Sequence, residues 1–534
     1  MEMQRWQPLA ARAPRDVLAL IFQETVDIHA ETYKWISITH VCGYWRSIAL
    51  QCPLLWTRIV TFGPQWTELC LRRSQHSVLD VFQIDNHNLG RHRKAIEALR
   101  LVLIEVHRIR SLHLKLRLED LQDLAPILQR NLRRDALESV VWSFPYGIED
   151  EADPSYNETD LLSLLIRCAP KLRHLCAQSG LTMWPLAMRS SSGMRILNIS
   201  MHKLSSEMDT FGMDLVMDAL SGMPLLESID LIGLPFVENM DPYPSSQASR
   251  RVVHLNHLRS LSLDGGMASC ANALDHISCP GSTRLSVASD IERGMSEVLA
   301  SSISLWYENS LKIEAAGPFR SIVLDTTEDN SGITVLLAWR KLLRAPETNH
   351  GIEAWYPSED PDVRIKLYMI GPRPLDSLAL TFWKALPLAE VESACIGDLH
   401  LNTPNRTVAN AFRTFSKLNT LYIVLRRRRA TWIKKLFKAE SSLFPALQVL
   451  HLHRARFIEP DTPLALFERG LRLRRENGMG LKKLVLGDCT NISTADATRL
   501  QAVVDRVDWD GKVIPDGGRK TDLYDSWLGF DDED

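Results

Sequence analysis

The sequence predicts an α/β protein: a small three-helix segment at the N-terminus joined to an irregular solenoid, with parallel strands on the concave face and helices outside. Three observations predict it. An apolar-x-x-apolar-x-apolar unit recurs about a dozen times, most copies lying about 22–35 residues apart. Short amphipathic stretches crowd Ala13–Thr57, ahead of the first copy. At 534 residues the chain is also too long for one compact core, which calls for two domains or a repeat array.

Ala13–Thr57 reads as three short helices. Pro14 opens the first, where a fixed φ and a missing N–H cost nothing. Val17, Leu18, Ile21 and Phe22 recur at helical spacing and make one apolar face. A second stripe, Trp35, Ile38, Val41, Cys42 and Trp45, runs on into Ile48 and Ala49. Cys52 and Pro53 end that helix, because the residue before a proline is pushed out of the α region. Leu54, Leu55 and Trp56 follow as an apolar clasp. A segment this short is marginal alone, so its leftover apolar surface points to a second polypeptide.

Three motifs in this stretch, Ala13-Pro14-Arg15-Asp16-Val17-Leu18-Ala19-Leu20-Ile21-Phe22, Val41-Cys42-Gly43-Tyr44-Trp45-Arg46 and Pro53-Leu54-Leu55-Trp56, carry a family likeness. In order and spacing they resemble the F-box, in the form abundant in mushroom-forming fungi. Ala13, Asp16 and Gly43 depart from the family's leucine, glutamate and arginine. The resemblance covers about a tenth of the chain and implies helices that dock onto a Skp-type adaptor. It assigns Pro14, Leu18, Ile21, Phe22, Ile38, Val41 and Trp45 to adaptor docking or to the core that shapes it.

After Trp56 the chain reads as a strand, a Gly63-Pro64 turn, a short helix and another strand. His92–His107 follows as a helix, with Ile96, Leu99, Leu103 and Val106 on one side. The repeating unit then begins at Ile109/Leu112/Leu114. It returns at Leu137/Val140/Trp142, Leu172/Leu175/Ala177, Met194/Leu197/Ile199, Leu226/Ile229/Leu231 and Leu258/Leu261/Leu263. Later copies are Phe319/Ile322/Leu324, Leu375/Leu378/Leu380, Val391/Ala394/Ile396, Leu418/Leu421/Ile423, Leu447/Leu450/Leu452 and Leu481/Leu484/Leu486.

Two alternating apolar residues give a strand with one buried face, and the earlier apolar residue anchors the turn into it. Each unit leaves an apolar side open that the next unit covers, as in leucine-rich repeats. Helix-like stretches such as Asp160–Arg167 and Leu215–Leu220 separate the strands. Tyr146–Asp160 and the gap from Leu324 to Leu375 read as loop insertions, and a degenerate unit sits around Leu285. Residues 1–12 are then an N-terminal tail, 13–60 the F-box helical domain and 61–107 a connecting segment. Residues 108–510 form the solenoid and 511–534 an acidic, disordered tail.

Composition narrows the function. The 45% apolar and 24% charged content is that of a folded, soluble protein. A formal charge of −3 argues against a nucleic-acid or membrane-surface binder, and no apolar run is long enough to span a bilayer. The 9 cysteines are odd in number and lack a CxxC pair, and the N-terminus lacks a secretory core; both fit a cytoplasmic or nuclear home. Trp6, Trp35, Trp45, Trp56 and Trp66 concentrate tryptophan at the N-terminus, as for a separate module.

Catalytic signatures are missing: no phosphate-binding glycine loop, no GxSxG elbow, no HExxH helix. Cys42, Cys52 and Cys70 are spaced too widely for a zinc site, and no cofactor or metal is expected. His451 and His453 share one strand face and read as solvent-facing repeat positions rather than ligands. Arg426–Arg429 with Lys434 and Lys435 read as a solvated face before a helix.

The F-box resemblance joined to the repeats implies the non-catalytic substrate-recognition subunit of a cullin–RING (SCF-type) ubiquitin ligase. The N-terminal helices would bind the Skp-type adaptor, and through it cullin, while the repeats hold a target protein. The target-binding candidates are His113, His174, Asp230, Asp264, Asp325, Thr381, Tyr422, His451 and His453, beside the buried strand positions. The alternatives are a repeat scaffold that does not assemble with cullin, and an enzyme or ligand site hidden between Asp325 and Leu375.

Overall fold

A computed structural model of the chain describes residues 13–28, 33–83, 89–116, 118–130, 134–143, 169–178, 191–200, 213–234, 252–292, 294–326, 333–343, 360–368, 381–397, 412–424, 443–457 and 464–514. The chain divides into two compact units. The first is Met1–Gly265 with His276–Pro280, and the second is Gly266–Asp275 with Gly281–Asp534.

The first unit opens with helix α1 (Arg15–Ile28), a 3-10 helix (Lys34–His40), α2 (Gly43–Gln51) and a second 3-10 helix (Pro53–Trp56). The stripe from Trp35 to Ala49 is therefore not one continuous helix. Cys42 sits extended (φ −160°, ψ 168°), and its Sγ accepts the Trp45 N–H at 3.4 Å, capping α2. Cys52 is likewise non-helical ahead of Pro53. Trp56 locks the end: its indole N–H donates to the Ala49 carbonyl at 2.9 Å. Its ring packs edge-on against Trp35 and near Trp66. The Arg73 guanidinium lies 4.8 Å from the Trp56 ring and also donates to the Leu50 carbonyl. Trp66 and Arg73 belong to α3 (Pro64–Ser74), so the opening helices pack directly onto the strand–helix series that follows.

That series is β1 (Arg58–Val60), α3, β2 (Leu79–Phe82), α4 (Leu89–Ile104), β3 (Ile109–Lys115), α5 (Leu118–Arg130), β4 (Ser139–Ser143), β5 (His174–Gln178) and β6 (Ile196–Ser200). It continues with α6 (Met213–Ser221), β7 (Ser228–Leu234), β8 (Val253–His254) and β9 (Ser260–Gly265). A short β10 (Ile277–Ser278) pairs with β8 beyond α7 (Met267–His276). Strands β1 to β7 and then β9 lie side by side in chain order, all parallel.

Register brings the repeat positions into rows. Val81, Leu112, Val140, Leu175, Leu197, Ile229 and Leu261 form one buried row, and Leu114, Trp142, Ala177, Ile199, Leu231 and Leu263 form the next. The leading residues Ile109, Leu137, Leu172, Met194, Leu226 and Leu258 are buried as well. Each turn hangs on the preceding one: the N–H groups of Glu138, Arg173, Arg195, Glu227 and Arg259 donate in succession to the carbonyls of Arg110, Glu138, Arg173, Arg195 and Glu227. A repeat that buries three such side chains gains roughly 1.5–3 kcal/mol from each, and each surface is covered by the next repeat.

The second unit holds α7, β11 (Arg284–Asp290), α8 (Ser296–Ile313), β12 (Ser321–Thr326), β13 (Ile333–Trp339), β14 (Val363–Tyr368), β15 (Ser393–Ile396), β16 (Thr420–Val424) and β17 (Val449–His453). It ends with α9 (Leu464–Glu476), β18 (Lys483–Gly487), α10 (Thr494–Gln501) and β19 (Arg506–Trp509). The degenerate unit around Leu285 is strand β11. The gap from Leu324 to Leu375, expected as a loop insertion, instead contributes two strands. They place the order as β11-β14-β13-β12-β15-β16-β17-β18-β19, in which β13 alone runs antiparallel to its neighbours.

The reason is composition: Leu336, Leu337, Ala338 and Trp339 are all buried, a continuous apolar run that needs cover on both faces. Arg340 pins the end of β13, donating to the carbonyls of Gly281 (2.6 Å) and Gly317, to the Tyr307 hydroxyl and to Asp362. The expectations for Tyr146–Asp160, Asp160–Arg167, Leu375–Leu380, Arg426–Arg429, Lys434, Lys435 and the tail from 515 onward lie outside the described residues.

Candidate docking surfaces

Helix α1 is apolar on two sides. Leu18, Phe22 and Val26, four residues apart, fill the inner side, where Phe22 meets Trp45 at 5.1 Å between ring centroids. Val17, Leu20 and Ile21 form an outer row, 46%, 63% and 49% exposed. The Tyr44 hydroxyl donates to the Ala13 carbonyl at 3.1 Å and draws the start of α2 against the start of α1. Exposed Val41 and Tyr44 thereby stand at the same end as Pro14.

Of the expected adaptor-docking residues, Pro14, Ile21 and Val41 are thus on the surface, and Trp45 is half-buried. Leu18, Phe22 and Ile38 are buried within the chain's own helical core, on the core side of that expectation. Leu20 and Tyr44, outside that expected set, are exposed beside them. The signal for Leu20 was present in its i+3 spacing from Val17, a second stripe hidden beside the first.

In the first unit the residues between the buried rows form a second, polar face. One row is Asp80, Ser111, Ser139, His174, Ile196, Ser228 and Ser260; the next is Phe82, His113, Val141, Cys176, Asn198, Asp230 and Ser262. Ser200, Ile232 and Asp264 continue it in register, and Lys115 lies two residues beyond His113 on the same side. His113, His174, Asp230 and Asp264, expected from spacing alone, are all brought to this face, and each is half-buried.

Small side chains keep the face shallow, and the histidines are held by serines: His113 Nε2 with Ser111 Oγ at 3.0 Å, and His174 Nδ1 with Ser139 Oγ at 3.1 Å. Burial lowers the pKa of both, and the neighbouring His174 and Arg58 lower that of His113 further against the opposing pull of Asp80. Burial, then Asp230, raises that of the Cys176 thiol. At neutral pH these three groups are uncharged. At the β1 end the Arg58 guanidinium lies over Phe82, which in turn packs on His113 with ring centroids 4.5 Å apart. Asp80 there is held by Arg110 at 2.6 Å.

The second unit differs at the equivalent repeat positions. Asp325, Tyr422, His451 and His453 are 2%, 4%, 7% and 4% exposed, so they are not solvent-facing and the expectation is corrected. Tyr422 packs with Val323, Leu337, Trp339, Cys395 and Val424 in an apolar cluster, and its hydroxyl pKa is pushed upward by burial. In the same register row stand Val323, Cys395 and Val485, which are buried as well. Thr381 is half-buried and helical, outside the strand ladder.

Among the described residues no group of three or more histidine, cysteine or acidic side chains could hold a metal ion. No described helix is long and apolar enough to cross a membrane.

Compared with known proteins, the chain matches no family model and no curated protein sequence. Among solved structures it is similar to the leucine-rich repeat-containing protein LegL7 from Legionella pneumophila. The identity is 10% and the TM-score 0.22, over 73% of this chain and 86% of that one. The repeat reading rests on the in-register rows described above.

Proposed function

We propose that the chain is the non-catalytic substrate-recognition subunit of an SCF-type ubiquitin ligase, held to a Skp-type adaptor by its N-terminal helices. The observation that carries this reading is the outer row of α1. Val17, Leu20 and Ile21 remain exposed although the inner side of the same helix is already filled. An amphipathic helix laid into an apolar groove is a recurrent mode of protein recognition, and a second apolar stripe on a packed helix is what it requires. Pro14, Val41 and Tyr44 extend that row, while Leu18, Phe22, Ile38 and Trp45 hold it in shape. The polar face of the first unit then presents a target, whose lysines gain effective concentration beside a charged ubiquitin carrier.

The test is capture of a purified Skp-type adaptor by the full chain, followed by mass spectrometry for cullin. Substituting Leu20→Glu together with Ile21→Glu places two unpaired carboxylates in the contact, at a cost of several kcal/mol. We expect adaptor capture to fall at least tenfold with the circular dichroism spectrum unchanged. Undiminished capture would overturn the reading. Adaptor without cullin would favour the scaffold alternative.

A further inference from the structure

Among the described residues, strand β19 of the second unit pairs on one side only, with β18. Arg506 and Asp510 donate their N–H groups to the Lys482 and Leu486 carbonyls at 3.1 and 3.2 Å. In a parallel ladder alternate residues bond to opposite sides, so the N–H and C=O of Val507 and Trp509 point away from β18. These two residues also continue the apolar rows beyond Leu484 and Leu486, their register partners. Both leucines are fully buried, whereas Val507 and Trp509 are only half-buried. The edge therefore offers main-chain groups ready for another strand, beside an apolar row that is covered on one side.

The opposite face of β19 carries charge. Arg506 and Asp508 are two residues apart and share that face. Arg506 Nε donates to Asp508 Oδ1 at 2.7 Å, and Lys483 Nζ lies 3.0 Å from Asp508 Oδ2. Charges on an edge strand ordinarily keep other strands away. The order of these two makes one exception. When a second β19 runs antiparallel with Val507 opposite Val507, Arg506 of each copy stands opposite Asp508 of the other.

We propose that β19 is a docking edge for a second copy of this chain, joined antiparallel about a two-fold axis between the two Val507 residues. Those residues exchange N–H···O=C bonds, and the flanking Arg506–Asp508 pairs fall at non-hydrogen-bonded positions, where facing side chains come closest. The guanidinium has donors beyond Nε and a carboxylate accepts at more than two sites, so the bonds within each copy and those between copies coexist. Such a contact uses the same patch on both copies and closes at two. A neutral strand leaves both charges without a counterpart at the seam, and a strand of one sign is repelled by one of them. The edge thus selects its own sequence.

The experiment is sedimentation velocity on the full chain over a wide range of concentration. We expect the weight-average sedimentation coefficient to rise from monomer toward dimer. Arg506→Asp sets carboxylate against carboxylate across the seam, and Asp508→Lys sets cation against cation, so each variant alone should associate at least tenfold more weakly. In an equimolar mixture of the two variants, opposite charges face each other again on both sides of the axis and dimer should return. That return also shows that both variants are folded. Val507→Pro removes an outward N–H while leaving the bonds to β18 in place, and should abolish association. A wild-type chain that stays monomeric throughout, undiminished association in any single variant, or a mixture that fails to recover dimer would each overturn the proposal.

Discussion

At the scale of single residues, the same apolar letter does two jobs in α1, and stability measurements should divide them. Leu18 is 2% exposed and Leu20 is 63% exposed. Leu18→Ala should cost about 2–5 kcal/mol by opening a cavity, whereas Leu20→Ala should stay within about 0.5 kcal/mol; urea unfolding checks both. Spacing alone could not separate these side chains, because every residue of the stripe is apolar and the deciding fact is what α2 and Trp45 cover. His451 and His453 teach the converse. Their shared strand face was legible, but their burial was not, since it depends on residues far away in the sequence. Burial is the main cause that lowers both from 6.5 to about 4; Lys483 also lowers His451, and Arg454 and Lys512 lower His453, against Asp508, Asp488 and Asp510. The unfolded chain therefore takes up protons first as pH falls below about 6.5, and the native state loses stability until about pH 4, by roughly 3 kcal/mol per histidine. A urea midpoint that falls across this window in the wild type, and falls less in His451→Gln with His453→Gln, is the expected result.

At the scale of elements, local chemistry was the better guide. Pro14, the Cys52-Pro53 break, the Gly63-Pro64 turn and the α4 face at Ile96, Leu99 and Leu103 all stand where propensity and periodicity placed them. The joint at Cys42 was hidden because a thiol is an uncommon cap, and its apolar character let it pass as part of a helical stripe. Gly43 opens α2 there, and a Cβ added to it meets nothing within 4 Å. Gly43→Ala should therefore stabilise the protein by about 0.4–1 kcal/mol through the unfolded chain, read as a raised midpoint in thermal unfolding. Strand β13 shows where a motif search stops. Its run of Ile333–Trp339 even carries the repeat spacing at Ile333, Leu336 and Ala338, but the unbroken apolar stretch Val335–Trp339 is the mark of a strand covered on both faces, not of a half-exposed repeat strand. Leu337→Asp would bury an unpaired carboxylate at 4% exposure, and should cost at least about 3 kcal/mol.

At the scale of the whole molecule, the repeat was the legible feature, because a short apolar code read many times survives its irregular copies. Ten strands on, the same code gives a different surface: half-buried and mostly polar between the buried rows of the first unit, buried and of mixed polarity between those of the second. That difference lies in the intervening letters, such as His113, Asn198 and Asp230 against Val323, Cys395 and Tyr422. It confines target recognition, on our account, to the first unit, while the outer row of α1 serves the adaptor. Titration calorimetry of a purified Skp-type adaptor into the full chain, at several temperatures, tests the adaptor contact most directly. The account predicts saturable binding with a negative heat-capacity change, the mark of apolar surface leaving water, and its loss in Leu20→Glu with Ile21→Glu. Absence of binding by the wild-type chain, or equal affinity in the double variant, would contradict it.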